Sequence, residues 1–424
     1  MSKVALRIGH ASMAALIIFV FGSGCAGGPR KVEGPIAGSD IRPAARTLEG
    51  PFDGTAEGAG GGNRRTVEGV AEVEWRILNW PQGKQAAATL TFDDGTLDQY
   101  EVALPLMEKY GVRSTYFIIT GPRGNGVWVD GGHSRRLFGW DAAVEIAARG
   151  HEIGSHGVSH RDLRQLLWNA EFHEIERELQ WSWLAIQRYI PEEHLPAGKA
   201  LSFSWPYWRT TPQLEQRAEK YYIAARSGRG RLPLRIPLNP FAIHSVRVMS
   251  EDSIEEWQHK VNAARISQGW VLFSLHGIDN GRMDKSEIGW QPVSTEKFTA
   301  LLQLITADDV WTAPFGEVYR YSAERNCAQL QIVAVLPDGI VLRLEDGLDD
   351  EVFNQALSIE LSFLGEFWGG FAGAVAESSR GRLLSQIEVV NSSPRRQTVR
   401  FDLEPNGEKV IIRGSTSTVQ LYNK

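Results

Sequence analysis

Hydrophobic and polar positions divide the chain into four stretches. The first holds Lys3 and Arg7, then an apolar run, Ala11 to Phe21, that no charge interrupts. A basic start followed by such a run reads as an export signal, too short for a bilayer-spanning helix. From Ala26 to about Gly69 no periodicity is visible, and Gly, Pro, Ala and Arg dominate. That composition predicts a flexible tether. From Ala71 to Tyr321 short apolar runs alternate with longer amphipathic ones. The runs Ala86–Phe92, Ser114–Ile119, Glu152–Ser155, Leu201–Trp205, Tyr221–Ala225 and Trp270–Leu275 predict buried strands. Between them, Leu97–Tyr110 reads as helical with a fresh start at Pro105, and Trp140–Arg149 as a helix stopped by Gly150. Leu163 to about Tyr189 reads as a long, charge-rich helix. Strands separated by helices argue for a parallel α/β sheet or barrel. After Tyr321 the period changes to two: Gln329–Val335, Ile340–Leu344, Leu357–Phe363 and Thr398–Leu403 are apolar or alternating runs between turn signals. These predict a small antiparallel sandwich. The expected organisation is a signal at 1–24, a tether at 25–70, a main domain at 71–321 and a β-rich accessory domain at 322–424.

Composition changes this picture little. The chain has 424 residues, 42% hydrophobic and 23% charged, enough to build a core without staples. A formal net charge of -6 provides no basic surface, which sets nucleic acid aside as a partner. Tryptophan is frequent, at 14 residues. Indole faces suit sugar rings, but they are equally ordinary core residues, and core packing is the expectation for Trp140, Trp290 and Trp311. Trp368 and Phe371, beside Gly369-Gly370, read either as an aromatic platform or as a core strand.

The end of the apolar leader, Gly22-Ser23-Gly24-Cys25, resembles a bacterial lipoprotein signal, in which the Cys25 thiol takes the lipid. It departs from that pattern at Gly22, where Leu is usual; a plain cleaved signal is the alternative. With Cys25 lipidated, the second cysteine, Cys327, is expected as a packed thiol and no intrachain disulfide forms.

Four clusters carry candidate chemistry, each at the end of an expected strand. Thr91-Phe92-Asp93-Asp94-Gly95 places adjacent carboxylates where parallel α/β folds build their sites, although Asp-Gly is also a common turn pair. Gly154-Ser155-His156-Gly157-Val158-Ser159-His160 places histidines four apart on one helical turn, able to chelate one ion, or simply exposed. Two histidines with one aspartate make a facial set that leaves positions open for water and substrate. Phe203-Ser204-Trp205-Pro206-Tyr207 and Leu272-Phe273-Ser274-Leu275-His276 end further strands; taken singly, each reads as structural.

In this order, the four motifs resemble the polysaccharide deacetylase family, also called carbohydrate esterase family four or the NodB homology domain. The resemblance covers about Ala71 to Tyr321. It implies a distorted, incomplete (β/α) barrel. It implies Asp94, His156 and His160 as ligands of a divalent metal, zinc above all. Asp93 would be the general base, His276 the general acid, and the backbone N–H of Tyr207 an oxyanion donor. The metal ligands should converge, with Asp93 and His276 on opposite sides of the open coordination position. The sequence departs from the family at Ser204, where an Arg that orients the base is usual; Arg226 could replace it from the next strand, or be a surface charge. It departs also at Gly157, where Ser or Thr is preferred, and at Trp208, where Gly is usual. The implied function is hydrolysis of N-acetyl groups on an extracellular or cell-envelope glycan, by an enzyme lipid-anchored through Cys25. O-acetyl ester hydrolysis and an inert glycan-binding protein are the alternatives.

Overall fold

The computed structural model describes residues 63–413, apart from 68–69, 122–125, 131, 230–236, 238, 337–338, 365–374, 379–382 and 394–395. The expected signal, Cys25, most of the tether, and Trp368 and Phe371 lie outside the described residues.

The chain enters through a hairpin, β1 (Asn63–Val67) and β2 (Val70–Ile77). Strand β3 (Ala86–Asp94) follows, buried at every position. A turn of π-helix, Gln99–Ala103, leads without a break into α1 (Leu104–Lys109), and Pro105, which has no N–H to donate, directly follows that wider turn. Next come β4 (Thr115–Ile118), the hairpin β5 (Val127–Asp130) and β6 (His133–Arg136), α2 (Trp140–Ala148) and β7 (Glu152–Ser155). The long helical stretch expected from Leu163 is divided. Ala170, with φ of 58°, ends α3 (Leu163–Trp168) before α4 (Phe172–Glu176), a π-turn and α5 (Ser182–Tyr189) continue. After β8 (Ser202–Ser204), α6 (Pro212–Ala218), β9 (Ala224–Arg229) and β10 (Ile243–Arg247), a capping box at Ser253 and Glu256 opens α7 (Ile254–Ser267). The domain finishes with β11 (Trp270–Leu275), the short parallel pair β12 (Ile278–Asp279) and β13 (Val293–Ser294), α8 (Thr295–Ile305), β14 (Val310–Thr312) and α9 (Phe315–Cys327).

Parallel pairing runs β3-β4-β7-β8-β9-β10-β11, and β11 returns to pair with β3. Seven strands therefore close a barrel one short of the usual eight. It is distorted: β7 and β8 meet at a single register pair, Ser155 with Phe203, and β14 shares an edge of β3 with β4. Strand β10 was not expected from the sequence. Every barrel strand points its carboxyl end to one rim, and each sequence cluster lies there.

The C-terminal strands are β15 (Gln329–Leu336), β16 (Gly339–Glu345), β17 (Leu357–Leu364), β18 (Val375–Ser378), β19 (Leu383–Gln386), β20 (Glu388–Ser393), β21 (Arg396–Leu403) and β22 (Asn406–Arg413). They form two antiparallel sheets, β1-β2-β17-β21-β20 and β15-β16-β22-β18-β19. Leu342, Leu361, Phe363, Val399 and Ile412 fill one apolar core. Residues 63–67 and 70, expected as tether, are corrected to strand: β1 pairs with β2, and β2 pairs with β17 over Ile77–Glu72, covering an edge β17 would otherwise present. The junction is apolar too. Trp80 is fully buried, with Trp311 and Tyr321 rings 6.0 and 6.2 Å away. Helix α9 runs through the boundary expected at Tyr321 and ends at Cys327. Cys327, expected as a packed thiol, is instead disulfide-bonded.

Candidate metal centre and active site

Strand β3 is apolar through Phe92 and ends in two buried carboxylates. Asp94 takes φ of 73°, so the chain turns sharply and sends consecutive side chains in different directions. After β7, His156 is buried and His160 nearly so. His156 Nε2 lies 3.7 Å from Asp94 Oδ1, and His160 Nε2 lies 3.8 Å from the same oxygen. One ligand atom from each residue falls within 4.8 Å of the others. Donors about 2.1 Å from a tetrahedral ion are about 3.4 Å apart, so this set could hold a divalent metal with small inward movement. The chemistry of the set agrees. His156 Nδ1 lies 2.7 Å from the Ser204 carbonyl; donating to it fixes the tautomer and leaves Nε2 as the ligand. Burial holds both imidazoles below their ordinary pKa, and for His160 the neighbouring His156 adds to this; neutral rings are the ligating form.

The turn carrying the histidines is built around Glu178. Its Oε2 accepts from Val158 N at 2.8 Å and Ser159 N at 2.9 Å, and its Oε1 accepts from Ser159 Oγ. A Cβ at Gly157 would lie 2.8 Å from Glu178 Oε2, at φ of +83°. Glycine therefore belongs where the family prefers Ser or Thr, because a carboxylate from the helical layer does the tethering.

Asp93, beside the metal set, is fully enclosed. Arg226 on β9 donates through Nη2 to both its oxygens, 2.5 Å to Oδ1, and to Ser204 Oγ, and through Nη1 to Ser245 Oγ at 3.2 Å. The guanidinium is completely buried, so it is no surface charge. Burial pushes the Asp93 carboxyl up, but Arg226, with His156 and His276, outweighs burial and holds it below the ordinary range. His276, just after β11, places Nε2 3.6 Å from Asp93 Oδ2. The two groups are neighbours, the carboxylate attracting the imidazole edge. Burial lowers the His276 pKa to about 4, against the pull of Asp93 and with the push of Arg226.

The profile of the family Polysaccharide deacetylase matches residues 63–225, which include the Asp-Asp-Gly, His-x-x-x-His and Pro-Tyr motifs. Residues 63–225 belong to the polysaccharide deacetylase family. Among curated relatives, "Gellan lyase" of Bacillus sp is 24% identical over 369 residues, 82% of this chain but 14% of that protein. YxkH of Bacillus subtilis (strain 168), whose name carries the polysaccharide deacetylase assignment, is 36% identical over 77 residues, 18% of this chain and 24% of YxkH. The chain thus spans less than a quarter of either relative's length. A Mycobacterium smegmatis crystal structure of the same family name is 16% identical, covering 58% of this chain and 93% of that one, with a TM-score of 0.41.

The deacetylase domain surrounds its site with aromatic rings. Pro206-Tyr207-Trp208 forms a tight turn in which Tyr207 and Trp208 both have positive φ, 58° and 57°. With Asp94 and His160 (φ 61°), four non-glycine residues in the left-handed region gather at the site, where such strain is commonly held. The Tyr207 ring lies 4.6 Å from His160, and Trp128, from the β5–β6 hairpin, lies 5.0 Å from His160 on another side. A shallow recess of about 500 Å³ opens there, lined by Ser159, His160, Arg161, Gln165, Tyr207 and Arg209. Trp208 and Trp290 flank His276, at 5.8 and 5.2 Å. Trp290, expected in the core, is therefore at the site; Trp140, stacked on Tyr189 at 4.4 Å, and Trp311 are packing residues.

Sequence reasoning missed several supporting residues. Gln99 Nε2 donates to the Asp93 carbonyl at 2.5 Å and to the His276 carbonyl at 2.7 Å. Asp98, wholly buried, accepts from Ile278 N at 2.6 Å and Gly289 N at 3.1 Å. These two tie the ends of β3 and β11 together. Burial raises the Asp98 pKa to about 7, against the pull of its hydrogen bonds. Their one signal is position, four and five residues after Asp94, where a polar residue facing the rim is available.

Proposed function

We propose that this protein is a metal-dependent hydrolase that removes N-acetyl groups from an extracellular or cell-envelope polysaccharide. The observation that carries the reading is the convergence of Asp94, His156 and His160 beside an Asp93–Arg226 pair and His276. The three ligands would hold zinc, and a bound divalent ion polarises the acetyl carbonyl and lowers the pKa of its water. Asp93, ionised against Arg226, takes the proton of the attacking water. As the new C–O bond forms, the backbone N–H of Tyr207 donates to the developing oxyanion. The proton taken by Asp93 passes to His276, whose Nε2 lies 3.6 Å from Oδ2, and His276 gives it to the nitrogen as the C–N bond breaks, so the products are acetate and a free amine. Arg226 touches no reacting atom; it positions Asp93 and keeps it charged.

An amide carbonyl is a weak electrophile, which is why this set of groups is needed. The same groups would cleave an O-acetyl ester, so the assay needs both bond types. Zinc-loaded protein is offered chitin oligomers, peptidoglycan fragments and acetylxylan, and acetate release is followed. Release from the amide substrates, abolished by His276→Ala with metal retained, supports the reading. Release from acetylxylan alone, or from none with stoichiometric metal, overturns it.

The leader supports export and a lipid on Cys25. The chain has two cysteines, so a thioether at Cys25 and a disulfide between Cys25 and Cys327 would compete for one sulfur. Mass spectrometry of the mature N-terminal peptide decides: a diacylglyceryl mass supports anchoring, an unmodified or bridged Cys25 contradicts it.

A further inference from the structure

Arginines around the site differ in one respect. Arg226 is paired with Asp93, Arg209 with Asp162, and Arg161 with Glu171 and Glu174. Arg247, the last residue of β10, has no carboxylate partner among the described residues. Its guanidinium lies instead 5.7 Å from the Trp208 ring centroid and 5.6 Å from that of Trp290. Those are the two indoles that flank His276. The placement follows from the barrel: Arg247 pairs in register with Ser274, two residues before His276, so both side chains rise at the same rim. A guanidinium is planar and carries its N–H donors in a fixed fork that matches a carboxylate. Leaving a cation without a counter-charge in an aromatic, partly desolvated cleft is unfavourable; a ligand anion removes that cost and meets little competition from water.

We infer that Arg247, beside Trp208 and Trp290, is a subsite for a carboxylate-bearing sugar next to the acetylated residue. The inference rests on the hydrolase reading and narrows its substrate to an acidic glycan. The indole faces would pack on sugar C–H groups while the fork takes the carboxylate. Trp208 serves this directly: its φ of 57° presents the indole toward His276, at a position where the family usually has no side chain at all.

The test uses the zinc-loaded enzyme and a matched pair of probes. One is an N-acetylhexosamine–hexuronate hexasaccharide; the other is the same hexasaccharide with its carboxylates reduced to alcohols. The wild type should show a kcat/KM roughly 10- to 100-fold higher on the acidic probe, the span of a charge-assisted hydrogen bond, with the difference mainly in KM. Arg247→Gln should bring the two probes to within a few-fold of each other, and Arg247→Lys should restore only part of the preference. Equal rates for the wild type, or a preference that survives in Arg247→Gln, overturns the proposal. If neither these probes nor chitin oligomers or peptidoglycan fragments release acetate, the hydrolase reading fails by itself. Calorimetric binding of the same probes to wild type and Arg247→Gln then decides this one: a preference for the acidic probe lost in the variant supports it, and its absence refutes it.

Discussion

Replacing Arg226 by Met separates the role of this residue in folding from its role in turnover. The substitution keeps much of the volume and removes the charge. It leaves Asp93 as a carboxylate at 1% exposure with no cation, and it strips donors from Ser204 and Ser245. Breaking one partner of a buried pair costs about 3–5 kcal/mol. Burial, the largest influence on Asp93, is then unopposed by its main counterweight, so the acid form gains population near neutrality. Turnover should fall by about 10²-fold or more, the lower bound for losing a general base. Metal content should remain one per chain, because Arg226 touches none of Asp94, His156 or His160. The double variant Asp93→Asn/Arg226→Met removes both charges. It should recover most of the lost stability in urea unfolding while remaining as slow as the single variant. Turnover near the wild-type value in Arg226→Met, or additive losses of stability in the double variant, would refute the reasoning.

Other substitutions probe the supports around the site. Gly157→Ala places a Cβ 2.8 Å from Glu178 Oε2 at φ of +83°, so it should cost about 1–2 kcal/mol and weaken metal binding through His160; an unchanged metal titration would show that the turn yields freely. Asp98→Asn turns an acceptor of two backbone N–H groups into a poorer one, and should cost about 1–3 kcal/mol and lower kcat with metal content intact. Glu324 is buried on α9 and accepts from Gln355 N at 2.8 Å; burial raises its pKa to about 8. The folded chain therefore holds a proton that the unfolded chain releases above its ordinary carboxyl pKa near 4.5, so stability falls as pH rises from about 4.5 to 8. Glu324→Gln should flatten that slope in thermal unfolding; an identical slope would place the titration elsewhere.

What the sequence disclosed, and what it withheld, follow from how local each signal is. Strands β3 and β11 are legible because short, mainly apolar runs end at abrupt polar groups, Asp93-Asp94-Gly95 and His276. The histidine pair converges for another reason than the helical turn expected: residues 156–160 form no helix, and the loop after β7 takes positive φ at Gly157 and His160. Strand β10 is not legible: Ile243-His244-Ser245-Val246-Arg247 exposes His244 and buries its neighbours Ile243 and Ser245, so it lacks the continuous apolar run of a barrel strand. The one barrel strand without a sequence signal thus carries Arg247. Pairing of β2 with β17 joins residues nearly 300 positions apart, which no local pattern encodes. The tryptophans are equally ambiguous one by one; only the closed barrel puts Trp290 beside His276 and Trp311 beneath Trp80.

The claim on which all else depends is a single metal held by Asp94, His156 and His160. Metal bound per chain, measured by mass spectrometry of purified protein dialysed against zinc, tests it most directly across the wild type, His160→Ala and Asp93→Asn. One equivalent should be found in the wild type and in Asp93→Asn, and well under one in His160→Ala. Zinc retained undiminished by His160→Ala, or absent from the wild type, would contradict the account.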